Sequence, residues 1–149
     1  MTGGPPLADV LVVGGGPAGL SAATWAARYR RSVLVVDRGQ YRNRWASKSH
    51  GYLGNDPGDP MELLDRARTD LGRYPEVSFC EGEATGARRA ADGRFVVTVD
   101  GEDYPGLRLI LATGVVDEFP EIDGFSTTTA RASSTAPPAT AMRRRAARS

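Results

Sequence analysis

The stretch that decides the fold is residues 8–19, ADVLVVGGGPAG, in which a short apolar segment runs directly into three consecutive glycines. The apolar segment is typical of a buried β-strand, and the Ala-rich residues 18–30 that follow favour a helix. Pro17 stands where this helix would begin, a position that tolerates its missing N–H. Residues 32–37, SVLVVD, indicate a second apolar strand. Continuous apolar strands that flank a helix are typical of a parallel sheet, so this region predicts a βαβ unit.

The glycines between the first strand and the helix have the spacing G-x-G-x-x-G, at Gly14, Gly16 and Gly19. In a dinucleotide-binding turn the first glycine permits the tight turn, the second lets the backbone approach a pyrophosphate, and the third lets helix and strand pack closely. The helix begins at Pro17 and Ala18, and the free N–H groups of its first turn, to which Pro17 adds none, favour phosphates together with a partial positive charge. This turn therefore predicts a pyrophosphate site.

An acidic residue, Asp37, ends the second strand about twenty residues after the glycines, and Arg38 follows it. A carboxylate at that position accepts hydrogen bonds from ribose hydroxyls and repels a 2′-phosphate. The predicted ligand is an adenine dinucleotide without that phosphate, either FAD or NAD. A tight strand–helix turn that binds nothing is the structural alternative.

The remaining segments complete an α/β pattern. We expect a long loop over residues 38–59, a helix over 60–73, a strand over 77–80, a β-hairpin over 83–100 and a last strand over 107–111. The predicted fold class is α/β, a Rossmann-like parallel sheet of the FAD/NAD(P)-binding type with a small antiparallel β-hairpin layer.

Composition divides the chain near residue 125. Residues 126–149 contain five Arg, no acidic residue and no Val, Leu, Ile or aromatic residue, so we expect a disordered tail. Residues 1–125 contain 14 basic and 18 acidic side chains, a net charge of −4, and form the predicted FAD-binding domain. An acidic body with a short basic tail is not typical of a nucleic-acid-binding protein.

The single cysteine excludes an internal disulfide framework and a Cys-based zinc site, and we predict no metal site. No apolar run reaches membrane-spanning length, and the N-terminus lacks the positive region of a signal peptide. We therefore expect a cytoplasmic protein with no membrane partner.

Several segments resemble one family of flavoproteins. Residues 13–23, VGGGPAGLSAA, resemble the FAD fingerprint of the thioredoxin reductase family and its flavoprotein disulfide-reductase relatives, and residues 111–114, LATG, resemble their second flavin motif. The segments 50–54, HGYLG, and 114–120, GVVDEFP, are also similar to thioredoxin reductase-like proteins. The resemblance covers nearly all of residues 8–125 and favours FAD over NAD.

The resemblance implies further site residues and an activity. It places Ala112, Thr113 and Gly114 along the cofactor and His50 near the flavin. Taken alone, His50 is better explained as an ordinary loop histidine, and only the flanking motif makes the two interpretations equal. In family members NADPH reduces FAD, FAD reduces a cysteine pair, and the pair reduces a disulfide of a thioredoxin-like protein or small molecule. Some relatives are FAD-dependent dithiol oxidases, and nothing before residue 125 separates the two directions. A homodimer is compatible with the resemblance.

Three parts of the family pattern are not encoded after Phe125: an NADPH-binding βαβ unit, a C-x-x-C pair, and a segment that completes the FAD domain. Read one base earlier, codons allowed for residues 133–142 translate as V-F-H-C-P-x-C-D-G-Y, which resembles the family's redox motif. We therefore expect the residues from about 126 onward to be a frameshifted remnant of a longer reductase. No residue of this chain is predicted to be catalytic, and a truncated, non-catalytic dinucleotide-binding module is the alternative function.

Overall fold

The computed structural model describes residues 4–44 and 46–116, and within them the chain forms two helices and six strands. In chain order these elements are β1 (Ala8–Val13), α1 (Pro17–Arg28), β2 (Val33–Asp37), α2 (Pro60–Leu71), β3 (Val77–Glu81), β4 (Ala84–Arg89), β5 (Phe95–Val99) and β6 (Glu102–Leu111). The predicted tail over residues 126–149, and the boundary at residue 125, lie outside the described residues.

Four strands form a parallel sheet in the order β3-β2-β1-β6. At the carboxyl end of β1, Val13 pairs with Val36 of β2 on one side and with Leu111 of β6 on the other. The chain leaves β1 towards β2 and returns on the opposite side as β6, which makes this end of β1 a topological switch point. Ligands of open α/β sheets bind in the crevice outside the carboxyl ends of the strands at such a point.

The last strand, β6, changes its partner along its length. It pairs antiparallel with β5 over its first half and parallel with β1 from Gly106 onward, and Gly106 itself faces both Phe95 and Ala8. A Cβ at Gly106 would overlap the side chain of Leu11, so glycine lets the strand cross closely over the core. β4 pairs with β5 and completes a three-stranded antiparallel layer.

Both faces of the parallel sheet are covered, which explains why its strands are continuously apolar. On one face Leu11 and Val36 pack with Val97 and Val99 of the antiparallel layer. The Rossmann-like parallel sheet with an added antiparallel layer, as predicted, is confirmed.

The two helices cover the other face of the sheet. Leu20 and Ala23 of α1 and Leu64 and Leu71 of α2 are buried together with Val12 of β1. Burying a side chain of this size contributes about 1.5–3 kcal/mol relative to leaving it exposed. The packing of these small apolar side chains therefore holds helix α1 on the sheet, with its first turn next to the end of β1.

Element ends differ slightly from the prediction. Helix α1 ends at Arg28, and Arg30 has a positive φ of 58°, which ends the helix two residues before the predicted position. β6 begins at Glu102 instead of Leu107, because the segment 102–105 pairs with β5 although it contains two acidic residues and a proline. Backbone pairing with β5 extends this strand, and the residues of the segment by themselves do not predict that pairing.

The described residues of Met1–Tyr41 and Met61–Val115 form one compact unit, and Arg42–Pro60 belong to a second. In the second unit Ser49 and Gly58 close a loop by two backbone hydrogen bonds of 2.7 and 3.1 Å. Neither α1 nor α2, the helices of the described chain, has the length and apolarity needed to cross a membrane.

Candidate cofactor-binding site

The first glycine of the turn, Gly14, is held between the ends of three strands. Its N–H donates to the Val36 carbonyl oxygen at 2.8 Å, and its φ is 108°, in the region that favours glycine. A Cβ at Gly14 would overlap the carbonyl oxygen of Ala112 at the end of β6. Any side chain here would therefore force the β1 turn away from the sheet.

The third glycine of the motif, Gly19, lies in the first turn of α1 and is buried. A Cβ at Gly19 would overlap the carbonyl oxygen of Gly14 and would lie 3.3 Å from Cγ1 of Val12. The absence of a side chain is what lets α1 pack directly on the end of β1. The backbone of Gly19 therefore packs directly against the backbone of Gly14.

The middle glycine of the motif, Gly16, is different because a Cβ there would have no heavy atom within 4 Å. Gly16 is the N-cap of α1, with φ −75° and ψ −177°, and no side chain caps the helix. The next two residues, Pro17 and Ala18, are exposed. The open space in front of the helix therefore faces the N–H groups that an α-helix leaves unpaired in its first turn.

The end of β6 continues directly beside this turn. The Ala112 N–H donates to the Val13 carbonyl oxygen at 2.8 Å, so the backbone of residues 112–114 begins next to the glycine turn. Thr113 and Gly114 are exposed, and Gly114 has a φ of 69°. The structure thus brings both predicted flavin motifs to one edge of the sheet, at the switch point.

The acidic residue at the end of β2, Asp37, is buried, with its side chain 7% exposed. Its Oδ2 accepts a hydrogen bond from the Tyr41 hydroxyl at 2.5 Å and a second from Nη2 of Arg68 on α2. A Cβ at Gly15 would overlap the Asp37 carboxylate, so the carboxylate packs directly against the glycine turn. A buried carboxylate needs such partners, because an unpaired buried charge is costly.

Two features hold the side chains of Asp37, Tyr41 and Arg68 in a single arrangement. Burial, and then the hydrogen bond to Asp37, raise the pKa of Tyr41, so its hydroxyl stays protonated and donates to the carboxylate. The Arg68 guanidinium carbon lies 5.3 Å from the ring centroid of Phe79, and Nη2 donates to the Tyr41 hydroxyl at 2.9 Å. The guanidinium is thus held by an aromatic face, a hydroxyl and a carboxylate.

Sequence reasoning missed Gly15, Tyr41 and Arg68. Tyr41 follows Asp37 by four residues, but no motif distinguishes it from other loop aromatics. Arg68 lies 31 residues from Asp37 along the chain and shares a helix with Arg66, so no local pattern selects it. Only the packing of α2 against the end of β2 reveals its role.

Two other predicted site residues have their own partners. Arg38 forms an ion pair with Glu83, with 2.7 Å between Nη1 and Oε1. In the second unit, Nδ1 of His50 lies 3.0 Å from Oδ1 of Asp56. The Gly51 N–H, and next the His50 ring, lower the pKa of Asp56, so this carboxylate stays charged and restrains the loop.

The part of the chain that the structure describes gives little support for a metal site or for cysteine chemistry. Among residues 4–44 and 46–116, no group of three His, Cys, Asp or Glu residues could hold a metal ion. The one cysteine of the chain, Cys80, is partly buried on β3, and its thiol and the Glu102 carboxylate raise the pKa of the Tyr104 hydroxyl. It is packed as part of the sheet's core rather than in the glycine turn.

Comparison with known proteins identifies the family. Residues 8–148 match the model of the pyridine nucleotide-disulphide oxidoreductase family. The chain is 38% identical over 123 residues to the thioredoxin reductase tcpT of Claviceps purpurea, a match that covers 80% of this chain and 38% of that protein. Thioredoxin reductase aclD of Aspergillus oryzae is 39% identical over 124 residues, which cover 81% of this chain and 39% of that protein.

Solved structures are similar over the same region. An oxidoreductase from Agrobacterium tumefaciens has a TM-score of 0.77 and 46% identity, with 82% of this chain and 41% of that chain covered. Lactococcus lactis thioredoxin reductase has a TM-score of 0.71 and 26% identity, with 83% and 41% covered. The chain thus spans about two fifths of the length of these relatives.

The family match, the switch-point turn and the structural neighbours agree with one another. Thioredoxin reductases of this family are FAD-dependent flavoproteins, and the predicted resemblance is confirmed. The chain belongs to the pyridine nucleotide-disulphide oxidoreductase family, as the FAD-binding part of a thioredoxin reductase-like flavoprotein.

Proposed function

We propose that this chain holds FAD by its adenosine diphosphate half at the carboxyl edge of the sheet. The observation that carries this proposal is the open space at Gly16, in front of an α1 N-terminus that no side chain caps. The residues proposed to contact the cofactor are those of the two flavin motifs and of the end of β2, namely Gly14, Gly16, Pro17, Ala18, Gly19, Asp37, Arg38, Ala112, Thr113 and Gly114. A role for His50 stays a prediction from the sequence resemblance.

The pyrophosphate is proposed to lie against the first turn of α1. Gly16 contributes backbone and no side chain, so phosphate oxygens can approach the N–H groups beyond it. Each negative charge at an exposed helix N-terminus gains about 0.3–1 kcal/mol from the helix dipole, and the direct hydrogen bonds add to this. The glycine turn thus binds phosphates through the backbone alone.

The ribose of the adenosine is proposed to bind Asp37. Oδ2 is occupied by Tyr41 and Arg68, and Oδ1 accepts no hydrogen bond from any residue that the structure describes. Hydrogen bonds to a charged group contribute about 1.5–3 kcal/mol. Asp37 therefore gives the site its preference for a free ribose hydroxyl.

For the complete protein we propose electron transfer from NADPH through FAD to a disulfide of a thioredoxin-like protein or a small molecule. FAD supplies the electron-transfer chemistry when it is bound. The reduction of a disulfide through a cysteine pair needs two cysteines, and this chain has one, Cys80, on β3. We propose that this chain holds the cofactor, while NADPH oxidation and disulfide reduction need parts that the longer relatives have.

Binding of FAD to the purified chain tests the proposal. We expect oxidised-flavin absorbance in the purified protein, or quenching of flavin fluorescence when FAD is added to the ligand-free chain. FMN, which lacks the adenosine half, is the matched control and should bind at least about tenfold more weakly, since the site contacts phosphate and ribose. A chain that binds neither compound, or FMN as tightly as FAD, would contradict the proposal.

Asp37→Asn is expected to weaken FAD binding about tenfold or more. The amide keeps the size of the side chain but removes the charge that Arg68 and the ribose share, and a hydrogen bond to a charged group is about twice as strong as a neutral one. The measurement is the FAD Kd by fluorescence titration, with far-UV circular dichroism to verify the fold.

The matched control for this variant is Asp70→Asn, which removes an exposed carboxylate of α2 that pairs with Arg73. It should leave the Kd unchanged. Equal effects of the two variants would show that Asp37 acts only through the general charge of the domain.

A non-catalytic FAD-binding module is the second candidate, and the single cysteine favours it. It predicts that the chain alone oxidises no NADPH with a disulfide reagent as acceptor, and no small dithiol with oxygen as acceptor. Turnover in either direction would contradict it and would show which of the two reactions this chain catalyses. A cytoplasmic location and a homodimer stay predictions from the sequence.

A further inference from the structure

The Asp37 carboxylate has one oxygen bound by the protein and one that no described residue uses. Oδ2 accepts from Tyr41 and from Arg68, and Oδ1 receives no hydrogen bond within residues 4–44 and 46–116. A carboxylate with both oxygens unrestrained would rotate about its last torsion, which is broad and two-fold for aspartate. The two bonds to Oδ2 remove that freedom.

Arg68 is itself held rigidly at the edge of the glycine turn. Its side chain is 27% exposed, its guanidinium lies over the Phe79 ring, and Nη2 contacts both the Asp37 carboxylate and the Tyr41 hydroxyl. A Cβ at Gly15 would come within 2.7 Å of Nη2, so the guanidinium also packs on the turn backbone. A planar guanidinium loses little entropy when it binds in such a fixed fork.

We infer that Arg68 is a positioning residue for the cofactor's adenosine ribose, acting through Asp37. Arg68 and Tyr41 hold Oδ2, so that Oδ1 alone faces the ligand as an oriented acceptor for a ribose hydroxyl. Phe79 keeps the guanidinium in the plane that this arrangement requires. The inference rests on the proposed binding of FAD and extends it to residues outside the sequence motifs.

The test compares FAD with an analogue whose adenosine ribose lacks both hydroxyls, in the 149-residue chain and in Arg68→Met. The unmodified chain should bind FAD at least about tenfold more tightly than the analogue, the ratio expected for one charge-assisted hydrogen bond. Arg68→Met, which keeps an unbranched apolar stem but removes the guanidinium, should reduce the ratio to about threefold or less. A ratio within one variant does not depend on how much of that variant is folded.

Two further variants separate positioning from charge and from stability. Arg68→Lys keeps the charge without the planar fork, so it should restore the ratio only partly. Arg66→Met, the matched control, removes an exposed arginine of α2 that lies 3.9 Å from Glu62, and the ratio should stay at the unmodified value. Tyr41→Phe removes the second bond to Oδ2 and should lower the ratio as Arg68→Met does.

The outcomes distinguish this inference from the proposed function. If the unmodified chain binds FAD and its analogue equally, or binds neither, the ribose assignment of Asp37 fails and the inference fails with it. If the unmodified chain discriminates and Arg68→Met discriminates equally well, only the inference is overturned. Tighter FAD binding by Arg68→Met would also overturn it, because the guanidinium would then compete with the ribose.

Discussion

Gly16→Ala is expected to lower the FAD affinity of the chain about 100-fold or more while leaving the ligand-free fold intact. A Cβ at Gly16 has no heavy atom within 4 Å, and φ −75° with ψ −177° is accessible to alanine, so the substitution should not strain the protein. The methyl group would instead stand in the space proposed for the pyrophosphate. A 100-fold loss corresponds to about 2.7 kcal/mol of binding free energy.

This prediction is measured by flavin fluorescence titration and by thermal unfolding of the ligand-free variant. The Tm should change by no more than about 2 °C, since surface substitutions without a clash stay within about 0.5 kcal/mol. Gly86→Ala on β4 is the matched control, because a Cβ there also meets nothing within 4 Å and β4 lies away from the glycine turn. Unchanged FAD affinity in Gly16→Ala would show that the pyrophosphate does not lie in front of α1.

Gly19→Ala is expected to destabilise the fold itself by about 3 kcal/mol or more. Alanine is a better helix former than glycine by about 1 kcal/mol, so propensity alone would raise the stability of α1. The added Cβ would however overlap the Gly14 carbonyl oxygen, which is backbone and cannot rotate away. Helix α1 must then move off β1 and expose Leu20 and Ala23, which are buried against the sheet.

The measurement is thermal or urea unfolding of the ligand-free chain, in which Gly19→Ala should lower the Tm by more than about 10 °C. FAD binding should be lost together with the fold, in contrast to Gly16→Ala, where it should be lost alone. A Gly19→Ala variant that unfolds at the unmodified temperature would mean that α1 and β1 do not pack as closely as described. The two substitutions thus separate the packing role of the motif from its binding role.

The βαβ unit and the site at its turn could be predicted from local sequence. The apolar run before Gly14, the Ala-rich helix after Pro17 and the second apolar strand ending at Asp37 are each encoded within a few neighbouring residues. The spacing of apolar residues and their secondary-structure propensities predict such elements, because both reflect contacts that every buried strand or amphipathic helix makes. The hairpin over residues 83–100 is predicted in the same way, from a strand on each side of the turn at Ala91, Asp92 and Gly93.

The start of β6 could not be predicted, because Glu102, Asp103 and Pro105 are poor strand formers and this segment forms a strand through its pairing with β5. The crossing at Gly106 likewise depends on Leu11, almost a hundred residues away in the chain. Contacts of this kind join distant segments and leave no periodic pattern in either one.

Local sequence was thus sufficient for the presence of a dinucleotide-binding turn and for the acid beside it, since strand, glycines, helix and acid follow one another within thirty residues. Three-dimensional packing was needed to show that Gly14 and Gly19 contact backbone while Gly16 faces open space. It was also needed to join Arg68 to Asp37, because α2 is separated from β2 by a long loop and reaches the carboxylate only by packing on the sheet. The physical reason is that a sequence motif depends on residues that are close together in the chain. The partners that orient its side chains come from distant segments that pack beside it in the folded protein.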